Sequence, residues 1–375
     1  MNIGHARRKL TPQGDVYLIG YRDLENRLHP ATAIHDDVYA NALLFSDGER
    51  EVFVFSADFM EVEEQMAEEV KTLLATRYGI DRDAVLLCVT HNHTSIVAYH
   101  RSWWTNKFDQ DYYDWLLQTI CDAFEECRAN AQPATARLGK QIITGYYDNR
   151  NVPGRLADNE VILLEFLDKE GVPFAGLVNW ATHSAVCGPD CTELTSEFAG
   201  LTSKKLEPSL GYFPAMIVGA AGDCSNRNVR QGRGIAEVER VSTGIAAEIA
   251  EMSRETPVEL GRIVVQPFYH TVAHDDFHLD LRCAVISLGG LHLFQFPGEL
   301  GGDFGIRMKE ECPVQGLVLG YTNGYFEYFL PAWEYGMSFE TARTQVPKGE
   351  PERIVDKFCQ TSHLLGNSDL EIKTS

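Results

Sequence analysis

The chain has 375 residues, enough for one large α/β domain or two smaller ones, and its 44% hydrophobic and 23% charged residues are an ordinary globular balance. Acidic residues outnumber basic ones 54 to 33, and the net charge of −21 argues against binding nucleic-acid phosphates or an anionic membrane surface. No stretch reaches the roughly 18 apolar residues of a membrane-spanning helix, and the basic start Arg7-Arg8-Lys9 has no apolar run behind it.

Nine cysteines, an odd number without a small-domain framework, fit reduced thiols in a cytoplasm. In chain order, Leu10-Thr11-Pro12, Gly20-Tyr21-Arg22 and His35-Asp36 precede a strand through Phe45. Ser46-Asp47-Gly48 turns it into a second strand, Glu51 to Ser56, with Asp58 at its end. Met66, Val70, Leu73 and Leu74 recur at helical spacing within Val62 to Tyr78, and Gly79 suits a C-cap. The apolar run Ala84 to Val89 then completes a βαβ unit, which places Asp58 and His91 on one sheet edge. His91 and His93, spaced i, i+2 where that run ends, can point the same way and begin a metal site. Hydrogen-bonded structural histidines are the plainer reading of the same pair.

Trp103 and Trp104 fall in the following loop, where they line a substrate or pack, and an amphipathic helix runs on to about Asn130. A strand Val161 to Phe166 turns at Lys169-Glu170-Gly171, returns as Phe174 to Trp180 and delivers His183. His183, Cys187 and Cys191 have the spacing of a helical metal cluster, but Gly188-Pro189 breaks the helix. A helix capped by Thr195-Ser196-Glu197 extends through Lys205. The strand Ala215 to Val218 runs into the small-residue turn Gly222-Asp223-Cys224-Ser225, which is not the G-x-S-x-G elbow of α/β-hydrolases. A helix from about Gly234 to Ser253 follows. His270, His274 and His278 lie in strand-like sequence, so loop histidines are expected there rather than a helical metal site. Strands Ala284 to Leu288 and Leu291 to Phe296 lead to Pro297-Gly298-Glu299, with a helix from Glu299 through Lys309. A strand Gly316 to Leu319 ends at Tyr321 to Tyr328. The expected fold class is α/β, a mixed sheet flanked by helices, as one domain over 1–375 with a polar, peripheral tail after about Phe358.

Taken together, these segments resemble the catalytic domain of neutral (non-lysosomal) ceramidases and their shorter bacterial relatives, over roughly residues 1 to 335. Thr90-His91-Asn92-His93-Thr94-Ser95 is similar to the family's T-H-T-H-S-G-P signature, and Asn179 to His183 to its N-W-x-x-H segment. Gly222 to Ser225 matches the turn carrying the family's active-site serine, and Asn149-Arg150 the segment of its site arginine. Pro297-Gly298-Glu299 sits where the family has a glutamate ligand. Asn323 to Tyr328 resembles the segment of its tyrosine ligand, Tyr325 or Tyr328.

The resemblance implies Zn2+ held by His91, His183, Glu299 and Tyr325, and amide cleavage by a metal-activated water. His93 would move the proton, Arg150 would stabilise the oxyanion, and Ser225 would act as nucleophile or as partner of the attacking water. Asp58 and Asp223 would orient imidazoles. Ser95-Ile96-Val97-Ala98-Tyr99 replaces the family's glycine-rich S-G-P-G-G, which together with the acidic surface directs expectation to a small soluble amide rather than ceramide. Ester or glycoside hydrolysis at the same site, and a noncatalytic binding protein, are the alternatives. The expected partner is a small molecule, with no nucleic acid and no stable membrane association; a homo-oligomer is left open.

Overall fold

Three strand–helix–strand units built on apolar strands set the architecture, because strands covered on both faces need near-continuous apolar runs. The computed structural model describes residues 1–20, 28, 30–101, 106–273 and 278–373, with side chains to residue 366. In the first unit, Glu51–Ala57 crosses over through helix Glu64–Tyr78 to lie parallel to Val85–Val89. In the second, Pro173–Trp180 crosses through helix Glu197–Leu210 to Ala215–Val218. In the third, Leu291–Gln295 crosses through helix Gly302–Glu310 to Gln315–Leu319.

Antiparallel strands widen each pair into a sheet. The first sheet adds Tyr39–Ser46, Asn2–Lys9 and Gln132–Pro133, and the second adds Glu160–Leu167, Thr135–Ile142 and Thr256–Val258. The third adds His278–Gly289 and Leu260–Ala273. The first two sheets face each other: Phe45 meets Phe166 edge-on at 5.4 Å, and the buried Ser56 hydroxyl donates to the Met216 carbonyl at 2.5 Å. Helix Gln110–Asn130 covers the outer face of the first sheet so closely that a Cβ on Gly4 would lie 1.8 Å from the Cys127 carbonyl oxygen.

The α/β class and most elements match the sequence-based expectation, including the left-handed Gly79 cap at φ 76°. Three local expectations are corrected. Glu299 does not begin a helix; Glu299–Leu300 pairs in parallel with Tyr328–Phe329, and the helix starts at Gly302. That pairing is a long-range contact with no local signal. The tail beyond Phe358 is not all peripheral: it continues helix Glu350–Lys373 and buries Cys359, Ser362 and Leu365, with the Ser362 hydroxyl 2.8 Å from His292 Nδ1 and Phe358 itself packed on Phe268 and Phe294. Cys187 and Cys191 form a disulfide, while the other seven cysteines are free thiols. His270 lies on a strand and bonds Glu350 at 2.9 Å, and His278 pairs with Asp280 at 3.2 Å. Tyr21, Arg22, Trp103, Trp104 and His274 lie outside the described residues. Among the described residues no helix is long and apolar enough to cross a membrane.

Candidate active site

All three parallel units end in one place. In α/β sheets ligands gather beyond the carboxyl ends of parallel strands, where the crossovers leave the strand tops open. Met60 and His91 follow the two strands of the first unit, His183 and Ala221 those of the second, and Glu299 and Tyr321 those of the third. His91 and Tyr321 have φ of 53° and 52°, a left-handed conformation that costs a non-glycine residue roughly 1–3 kcal/mol and recurs at functional sites. That bend, rather than strand pleat, turns His91 toward its neighbours.

The ring nitrogens of His91, His93 and His183 come within 4.8 Å of one another. His91 Nδ1 lies 2.8 Å from the Met60 carbonyl and His183 Nδ1 lies 3.1 Å from the Ala221 carbonyl. A carbonyl only accepts, so each Nδ1 carries the proton and each Nε2 keeps a lone pair. His93 Nε2 lies 3.2 Å from His91 Nε2. Burial holds the His91 and His183 rings well below the usual histidine range, with His93 and Arg150 adding to it, so both are neutral. His93 is pushed down to about 4 by burial and by Arg150.

Glu299 is fully buried opposite them, its carboxylate oxygens 3.6 Å from His91 Nε2 and 3.4 Å from His183 Nε2. Burial pushes its carboxyl up to about 7 against the pull of Arg150. Tyr325 donates to one oxygen at 2.5 Å and Tyr321 to the other at 3.2 Å. Arg150 donates to the Gly222 carbonyl at 2.6 Å, faces His183 Nε2 at 3.4 Å and pairs with Glu340 at 3.0 Å.

This donor set fits a cation. Two neutral imidazoles turn their Nε2 lone pairs toward a buried carboxylate, an arrangement that a cation among the three groups stabilises. Ligand atoms on a tetrahedral zinc, with bonds of about 2.0–2.1 Å, stand about 3.3 Å apart. The separations of 3.4 and 3.6 Å between the Glu299 oxygens and the two ring nitrogens lie close to that value. The Tyr328 ring lies under the Arg150 guanidinium at 5.4 Å.

The expected orienting carboxylates do not touch an imidazole. Asp58 accepts from the Tyr39 N–H at 2.9 Å and faces the Thr90 hydroxyl, so it braces the chain leading to His91. Asp223 accepts from Asn149 and from the Gly302 N–H, both at 2.8 Å, tying two of the units together. Main-chain carbonyls do the orienting instead, because the strand ends bring them to the rings. Ser225 is half-buried, and its hydroxyl accepts from the Arg227 N–H at 3.1 Å. Its backbone pairs with Asp148, two residues before Arg150, so it borders the group without a bond to the imidazoles. Tyr321 and Glu340 escaped the sequence reading. Tyr321 had a readable signal, since it stands two residues past a strand end just as His91 does.

A family model described as neutral/alkaline non-lysosomal ceramidase, N-terminal, matches residues 2–212, more than half of the chain. The chain belongs to this family. It is therefore a hydrolase acting on amide bonds. The match includes His91, Arg150 and His183, whereas Ser225, Glu299 and both tyrosines lie beyond it. Two solved structures share the fold. The neutral ceramidase from Pseudomonas aeruginosa is 17% identical, with a TM-score of 0.82 over 98% of this chain and 74% of that one. A ceramidase complexed with C2 is 16% identical, with a TM-score of 0.82 over 98% of this chain and 75% of that one.

Proposed function

We propose that this ceramidase-family chain cleaves the N-acyl amide bond of a small molecule with a zinc ion held by His91, His183, Glu299 and Tyr325. The observation that carries this reading is the convergence of two carbonyl-anchored imidazoles on the Glu299 carboxylate. When bound, zinc would polarise the scissile carbonyl and lower the pKa of a water to about 7. Arg150 keeps its charge, since Tyr328, Glu299 and Glu340 together outweigh the cost of burial, and its N–H groups stabilise negative charge growing on the carbonyl oxygen. His93, neutral and beside His91, accepts the proton released on attack and returns it to the leaving amine. Ser225 at the rim bonds the attacking water or the substrate.

A second reading makes His93 a third imidazole ligand, and the grouping of all three rings within 4.8 Å favours it. Metal analysis of His93→Ala separates the two. A proton-handling role predicts full zinc with lost turnover, and a ligand role predicts loss of both.

Family membership makes an N-acylated sphingoid lipid the first substrate class to test. A soluble N-acyl compound is the second, because Ser95 to Tyr99 stands where the family has a glycine-rich stretch; there Ile96, Val97 and Tyr99 are buried and Ser95 donates to the Asp58 carbonyl. Turnover by zinc-loaded protein of N-acyl sphingoid bases against N-acyl amino acids and amino sugars decides between them. No turnover of any amide, with zinc bound, would sink the proposal.

A further inference from the structure

Glu340 belongs to none of the three βαβ units; it sits on the five-residue helix Phe339–Arg343, is 1% exposed and reaches the Arg150 guanidinium at 3.0 Å. The short helix is pinned where it is. Ser338 and Thr341 form a reciprocal capping box at its start. The Thr341 hydroxyl donates to the Glu334 carbonyl at 3.3 Å, and the Glu334 carboxylate accepts from Asn151, the neighbour of Arg150, at 2.5 Å. The C-terminal segment thus grips residues 150 and 151 through two buried carboxylates.

A buried guanidinium needs a counter-charge, and removing one leaves it to find another. The carboxylates that feel the Arg150 charge are Glu340, Glu299, Glu334 and Asp223. Both Asp223 oxygens are taken, by Asn149 and the Gly302 N–H, and Glu334 is tied through one oxygen to Asn151. Glu299, held by two tyrosine hydroxyls on the side of the histidines, is the one whose capture by Arg150 would disturb the site.

We propose that Glu340 is a positioning residue: it anchors Arg150 on the side away from Glu299, keeping the Glu299 carboxylate available to a cation and one edge of the guanidinium turned to His183. This rests on the metal reading above. Glu340 touches neither imidazole nor carboxylate of the group, so it acts through Arg150.

The test is zinc affinity of the full chain, measured by competition with a chromogenic chelator, for wild type, E340Q, E340D, R150Q and the E340Q/R150Q double variant. E340Q is expected to bind zinc about 10- to 100-fold more weakly, the usual cost of losing a group that orients a ligand shell. With Arg150 gone there is nothing left to hold, so the double variant should bind like R150Q. E340D, which keeps the charge and retracts it, should fall between wild type and E340Q. Equal affinity of E340Q and wild type, or losses that multiply in the double variant, would overturn the proposal. If E340Q does not fold, unchanged affinity of E340D does so. A wild-type chain that takes up no zinc overturns the metal reading and this one with it, whereas zinc uptake unaffected at Glu340 overturns this one only.

Discussion

The two sides of the site are held by different kinds of anchor. On one side, His91 and His183 lean on the carbonyls of Met60 and Ala221, which are main chain and belong to the same βαβ units as the rings they hold. On the other, the Glu299 carboxylate is held by side chains, Tyr321 and Tyr325, and Arg150 by the Glu340 side chain together with the Gly222 carbonyl, with the three side chains brought from later segments. A carbonyl anchor cannot be removed by a point substitution, so a ring on it is either present or absent. A side-chain anchor can be trimmed one atom at a time, so that half of the site is tunable.

The largest effects should come from the imidazole side. His183→Ala and His91→Ala should each lose zinc and amide hydrolysis together, as read by metal analysis and turnover of the purified protein. Zinc retained at wild-type stoichiometry in either variant would break the comparison at its base. Next, Arg150→Ala should lower kcat by about 10²- to 10³-fold with little change in KM, the size of losing one oxyanion donor. A rise in KM at constant kcat would recast Arg150 as a binding group.

Smaller losses are expected at the tyrosines. Tyr325→Phe should cost about 10-fold or more in zinc affinity or rate, because its hydroxyl sits 2.5 Å from Glu299. Tyr321→Phe should cost less, since its bond is 3.2 Å. The reverse order would move the tyrosine ligand to Tyr321.

The mildest test concerns Asp58, which braces the imidazole side without touching it. Burial pushes its carboxyl from 3.8 up to about 7. Between those values the folded state binds the extra proton, so stability falls as pH rises through that window and is flat beyond it. The slope from this one group is at most about 1.4 kcal/mol per pH unit. Asp58→Asn carries no charge and lacks that slope, so denaturant unfolding should favour the variant increasingly from pH 4 to pH 7. A variant-to-wild-type difference that does not change with pH would show the carboxyl to be ionised throughout.

Much of this was legible in the sequence because periodicity and strand-end chemistry are local. The runs Val85 to Val89 and Phe174 to Trp180 announced buried strands, and each carried its histidine shortly beyond its end. Glu299 was legible only through resemblance. Its real setting, a two-residue pairing with Tyr328–Phe329, joins segments that share no local pattern. The tail helix was missed because its polar residues outnumber the few positions, such as Ile354 and Phe358, that face the third sheet.

Composition, the first βαβ unit and the histidines just beyond two apolar strands follow from the order of residues along the chain, since apolar spacing dictates which segments must be buried; that the later strands also pair in parallel was decided by the fold. Which nitrogen of each ring faces the site, which tyrosines hold Glu299 and that Glu340 reaches Arg150 were decided by the tertiary structure. Those are contacts between segments up to 190 residues apart, as with Glu340 and Arg150. His91 and His93 show the division: their spacing marked a pair, and the left-handed turn at His91 brought them together.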